Sequence, residues 1–263
     1  MAEERKQTDL GTETPIAENE QVRALLALLK EKDSPAYADF AELIESVTGM
    51  EKRLSIAVGE LATMREDLQK MQDHSLKASL QKTCKALEGN ISSMQQKLSG
   101  LKGKIVAGCR HILADFKECG TVALNGITHF LHLKPALEAI RQGAENHQQA
   151  SSRAMERIDA FASEYHEAGK HLKNMRLALM GEEPVQQAKT GGEIAHYAKA
   201  PYRASRACMG AMKKNAEKAM AALKKLEQAA ERRPSVLESM REQAAKLEPA
   251  KNQPAPSHDK GSR

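Results

Sequence analysis

Apolar residues return every third or fourth position through most of this chain, and that spacing leaves few folds open. From Leu43 through Val47, Met50, Leu54, Ala57, Leu61, Met64 and Leu68 to Met71 the steps alternate strictly between four and three. A stripe of this kind has a period of 3.5 residues and predicts helices wound left-handedly round one another. A second stripe runs Leu76, Leu80, Cys84, Leu87, Ile91, Met94, Leu98, Leu101, Ile105, Cys109, Ile112 and Phe116, with two pairs of consecutive four-residue steps that predict local unwinding. The third is the most regular: Leu137, Ile140, Ala144, His147, Ser151, Ala154, Ile158, Phe161, Tyr165, Ala168, Leu172, Met175 and Leu179. The fourth is Ala198, Tyr202, Ser205, Met209, Met212, Ala216, Ala219, Leu223, Leu226 and Ala230, with Pro201 near its start.

Composition fits that reading. Aromatic residues are 3% with no Trp, and charged residues are 29%. Such a chain fills thin seams between long helices more readily than a thick globular core. No run alternates as a strand does, and no internal repeat is visible. The expected fold class is all-α: long antiparallel helices over about 36–73, 76–117, 136–180 and 193–232. They can form an elongated four-helix bundle, or a three-helix coiled coil with the first helix extending outward.

Turn signals divide the rest. Residues 1–18 read as a disordered tail. A short amphipathic helix follows at 19–32, capped by Asn19, and "DSP" ends it. Ser34 and Pro35 then form a helix-start pair, cap oxygen first and a proline where no N–H is needed. Gly120 and Asn125-Gly126 mark a hinge at 118–135, with a short helix expected there, and Gly181, Pro184 and Gly191-Gly192 mark a linker at 181–192. Ser235 and Glu238 form a capping box for a short helix at 235–247, and 248–263 reads as a second disordered tail. Gly89, Gly100, Gly103 and Gly108 either weaken the second long helix or let a neighbour approach closely.

No constellation in the sequence carries a reaction. "EYHEAGKHLKNM" (164–175) looks like a zinc-protease motif, but His166 and His171 are five apart rather than four. On an unbroken helix five residues turn the rings about 140° apart, which rules out a shared ion. His171 and Glu167, four apart, are expected to pair on the surface. His147 and Ser151 form a polar step in an apolar stripe, read as a wet position near a gap in the bundle. His129, His132 and Cys119 fit a structural cap around the hinge. No phosphate loop and no nucleophile elbow is present. Cys84, Cys109, Cys119 and Cys208 lie far apart without metal or redox spacing, and predict free thiols in a reducing cytoplasm. No signal peptide and no membrane-length apolar run is seen; the longest uncharged stretch, Cys119 to Leu133, is too short to span. The expectation is a cytoplasmic protein that is not an enzyme and uses no metal, cofactor or small-molecule substrate.

Binding is the remaining class. Residues 1–45 carry 5 Lys/Arg against 11 Asp/Glu, whereas 189–225 carry 9 against 2. Lys199, Arg203, Arg206, Lys213, Lys214 and Lys218 are candidate polyanion contacts, although they surround the fourth stripe and lack aromatic stacking partners. Val22, Leu25, Leu26 and Leu29 of the short helix are the candidate docking face for a protein partner, or for self-association. On that reading, deleting residues 1–33 leaves the bundle folded.

Three stretches, "GCRHILADFKECGTVALNGITHF" (108–130), "EYHEAGKHLKNM" (164–175) and "APYRASRACMGAMKK" (200–214), resemble landmarks of a small uncharacterised family of helical proteins. That family is a domain of unknown function found in Gram-positive gut bacteria and carried on conjugative or integrative mobile elements. The resemblance covers roughly residues 20–230. It implies an accessory role in a mobile element, and no site residue carries over from it.

Overall fold

Five helices follow one another in a computed structural model that describes residues 14–70, 74–120, 130, 132–185 and 192–231. They are α1 (Glu20–Glu31), α2 (Ala36–Lys70), α3 (His74–Cys119), α4 (Lys134–Met180) and α5 (Glu193–Glu231), preceded by a 3-10 turn at Ile16–Glu18. No strand occurs among the described residues. The four long elements match the four stripes to within a few residues. The expected short helices at 118–135 and 235–247 fall largely outside the described residues, as does the tail after 247.

Cross-helix contacts give the packing order. Lys225 Nζ pairs with Glu42 and Cys208 Sγ donates to the Arg53 carbonyl, so α5 runs antiparallel to α2. Lys213 meets Glu145, and the hydroxyls of Ser205 and Ser151 lie 3.4 Å apart, so α5 is antiparallel to α4 as well. Lys97 reaches the Ala139 carbonyl from α3. The result is an up-down-up-down bundle in which α5 lies between α2 and α4, and α2 packs on α3. This is the four-helix alternative, with no outlying first helix.

Three stripes bury as their period predicts. Leu43 to Leu61 on α2, Leu80 to Ile112 on α3, and Ser205 to Leu226 on α5 form one core. Close approach explains some glycines and not others. A Cβ on Gly108 would lie 2.7 Å from the Phe130 ring, which itself rests on Phe40 with centroids 5.1 Å apart. One on Gly49 would meet the Asn215 side chain at 2.7 Å. Gly89, Gly100 and Gly103 face open space.

The N-terminal region departs from expectation. Ile16 is fully buried, so the tail reading is wrong at least for residues 14–18. Its N–H donates to both carboxylate oxygens of Glu51 at 3.3 and 3.1 Å; Lys102 pairs with Glu51 at 2.6 Å and also donates to the Thr14 carbonyl. The short helix α1 is no free arm either. Asn19 caps it as predicted, accepting from the N–H groups of Gln21 and Val22. Yet Val22, Leu25 and Leu29 are buried against α2 and α3, and Leu26 is half-buried on the same core. The residues read as a docking face are spent on internal packing. Ser34 also differs: its backbone carbonyl accepts from the Tyr37 N–H, while its hydroxyl is buried without a hydrogen-bond partner.

Leu25→Ala should therefore destabilise the whole bundle by about 2–5 kcal/mol, seen as a lowered urea midpoint. An unchanged midpoint would mean that α1 is an independent arm after all.

Candidate functional site

The third stripe, on α4, buries only in its first half. Leu137, Ile140, Ala144 and Ser151 lie in the core. Beyond Ile158 the same stripe faces outward: Phe161, Tyr165, Leu172, Met175 and Leu179 are between 61% and 85% exposed, and Ala168 is exposed too. This corrects the expectation that the whole run packs.

Two periods diverge along this half of α4, and α5 starts only level with residue 165. A straight α-helix has 3.6 residues per turn, so a 3.5-residue stripe drifts by about 20° per heptad. Counted from Leu137, the drift is roughly 70° at Phe161 and roughly 120° at Leu179. The positions that are buried or half-buried along this half of α4 are Met155, Ala162, His166, Lys170, Asn174 and Leu177, which follow the 3.6 period. Val185 and Gly192 lie against that face. Val185 N–H donates to Asn174 Oδ1 at 2.7 Å, Asn174 Nδ2 donates to the Val185 carbonyl at 3.0 Å, and Gly192 lies beside His166. The heptad stripe is left bare on the other side.

Levels along the bundle show how far α4 projects. Asp159 pairs with Lys199, placing the start of α5 level with residue 165. Residues 166–180 therefore run about 22 Å past the N-terminus of α5. Phe161 and Tyr165 stack on this arm with centroids 6.4 Å apart, and exposed Tyr197 of α5 lies level with Phe161.

The histidine-rich stretch sits on the same arm. His171 lies 4.0 Å from Glu167, the surface pair expected at that spacing. His166 turns toward Gly192 rather than standing fully exposed. The described residues hold no group of three or more metal-ligating side chains. His129 lies outside the described residues, and His132 is exposed.

The polar step proves to be a helix-helix contact rather than a wet gap. Ser151 and Ser205 are both buried and hydrogen-bonded across α4 and α5. Nearby, Glu145 bridges Arg141 and Lys213; the hydrogen bond from Lys213 is the main reason its carboxyl lies below the usual range. Cys84, Cys109 and Cys208 are buried free thiols, and burial pushes Cys109 up to about 12 and Cys208 up to about 11. Cys119 is free and exposed.

The candidate polyanion contacts are split. Lys199 is held by Asp159 and Lys213 by Glu145 at 3.1 Å, and Lys218 is exposed elsewhere. Arg203, Arg206 and Lys214 line an open cleft of about 990 Å³ with Lys213, Gln148, Glu217 and Arg53 of α2. Arg53 was not legible as a contact, because only the α2–α5 packing brings it there. The one sequence sign was its place flanking the α2 stripe.

The chain is an antiparallel all-α bundle with an apolar stripe exposed on a projecting arm, and no helix among the described residues is long and apolar enough to cross a membrane. The chain belongs to a family of unknown function, DUF6674, whose sequence profile matches residues 18–263. No curated protein and no solved structure matches it.

His147 offers a test of the packing around this site. It is half-buried, and burial first and the charge of Lys97 second hold its pKa below the ordinary histidine value. The unfolded chain therefore takes up that proton first, and stability falls as pH drops through about 6.5. His147→Gln should shrink the loss of urea midpoint between pH 7 and pH 5; an unchanged loss would put His147 in solvent.

Proposed function

We propose that this protein is a non-enzymatic, cytoplasmic scaffold that binds protein through the bare stripe Phe161–Leu179 of α4. The observation that carries the reading is the exposure of five large apolar side chains at heptad spacing on a helix whose other face is already covered. Exposed contiguous apolar surface on a folded chain marks interaction sites. A 3.5-residue period suits a second helix wound round the first, and no described helix covers the stripe on this arm. The resemblance to a family carried on mobile elements of Gram-positive gut bacteria extends the reading to an accessory role in such an element.

The stripe replaces α1 as the docking surface. A photo-crosslinking side chain at Leu172 should capture a protein in cells, whether another protein or a second copy, while the same group at Lys104 on α3 should not. Capture at neither position would sink the scaffold reading.

A second reading rests on the cleft between α2 and α5. Arg53, Arg203, Arg206 and Lys214 form no ion pair among the described residues, and two helices supply them. A nucleic-acid backbone lying there would release counterions, so the logarithm of affinity would fall with the logarithm of salt at a slope of about −3 to −4. The pair Arg203→Glu and Arg206→Glu should abolish binding of a labelled duplex measured by anisotropy. Binding that ignores salt, or survives the reversal, removes this reading.

A further inference from the structure

Resting on the scaffold reading, we infer that the occupant of the bare stripe is a second copy of the same arm, paired antiparallel about residue 170. Three features of the stripe point to this partner.

Its residues are complementary to themselves when reversed. An antiparallel pair centred on residue 170 sets Phe161 against Leu179 of the second copy, Tyr165 against Met175, and Ala168 against Leu172. Each layer then recurs in reverse, giving six layers that join a larger side chain to a smaller or more flexible one. Tyr165 against Met175 is a sulfur–aromatic pairing. Every layer also joins the two alternating seam positions of the heptad, as antiparallel helices require.

Charge selects the direction. The first half of the arm carries Asp159, Glu164 and Glu167, and the second half carries Lys170, Lys173 and Arg176. Asp159 is engaged with Lys199, and Glu167 with Lys170 and His171 within the chain. Glu164 flanks the stripe in no such pair among the described residues. Antiparallel pairing lays the acidic half along the basic half of the second copy and puts Glu164 level with Arg176 of the second copy. Parallel pairing sets Lys173 and Arg176 level with their own copies, and like charges repel.

Space and area also fit. The arm ends near residue 180, which in this register meets residue 160 of the second copy, where the bundle proper begins. The α5 helix of that copy sits on the other face of α4, so the stripe stays open to receive the tip. Five large apolar side chains per copy bring the pair to roughly 1,000 Å² of buried surface, the lower limit for a specific contact. The end of α5, Glu231, lies at the opposite end of the bundle, about 50 Å from Phe161.

Full-length protein with Cys119→Ser tests both pairing and direction, since the other three cysteines are buried. Phe161→Cys chains mixed with Leu179→Cys chains should oxidise to a disulfide dimer of twice the 28.9 kDa chain mass. Either variant alone should form no disulfide-linked dimer under the same oxidant, because its thiols would be about 27 Å apart in the pair. Dimers from each single variant would mean parallel pairing and overturn the inference. Sedimentation of the unmodified protein should show a dimer, and Leu172→Lys, which enters two symmetric layers, should weaken it at least 100-fold without loss of helical circular dichroism. A monomer at all concentrations would overturn self-pairing. If Leu172 nonetheless captures a different protein in cells, the scaffold reading stands without it; if it captures nothing, both fall.

Discussion

The bundle depends on how α5 lies between α2 and α4. Its buried stripe is made of small or flexible side chains: Ser205, Cys208, Met209, Met212, Ala216, Ala219 and Ala222, closing with Leu223 and Leu226. Small residues let helices approach closely, and methionine fills the irregular gaps that remain. Where approach is tightest the partner gives way in size, with Gly49 against Asn215 and Gly210 against Gln148. Polar contacts then set the register along α5, from Lys225 with Glu42 through Lys213 with Glu145 to Ser205 with Ser151. With α5 fixed in this way, the first half of α4 packs along it.

Near and past the start of α5 the α4 stripe is exposed. A helix that does not supercoil buries every 3.6 residues, while the stripe written into α4 repeats every 3.5. Over one or two turns the two agree, and Leu137, Ile140 and Ala144 satisfy both. Over the length of α4 they part. The internal contacts go to Ala162, His166 and Asn174, and the heptad residues are left for another helix. The arm keeps its apolar stripe although internal packing no longer covers it, and a coiled coil with a separate chain is the packing that its 3.5-residue period fits.

Much of the architecture was legible in the residues because it rests on local periodicity. The ends of the four long helices follow from proline, glycine and the span of each stripe. Asn19 as a cap, and the diverging histidines 166 and 171, follow from geometry within one or two turns. What stayed hidden depends on distance in sequence. The burial of α1 needs α2 and α3 beside it, and its flanking turn signals look the same for a free arm and a packed helix. The pin formed by Glu51, Lys102 and the Ile16 N–H joins three separate parts of the chain. Arg53 joins the basic cleft only through packing. The bare half of the α4 stripe was hidden for a subtler reason: a heptad pattern says that a residue will meet a helix, but not whether that helix belongs to the same molecule.

Methionine oxidation reports on the central claim directly, since Met175 lies in the stripe while Met209 and Met212 lie in the core of each chain. Dilute hydrogen peroxide applied across a concentration series should oxidise Met175 more slowly as protein concentration rises, while Met209 and Met212 stay protected throughout. Met175 oxidising at the rate of a free surface methionine at every concentration, both in purified protein and in intact cells, would contradict a stripe that is covered when the protein works.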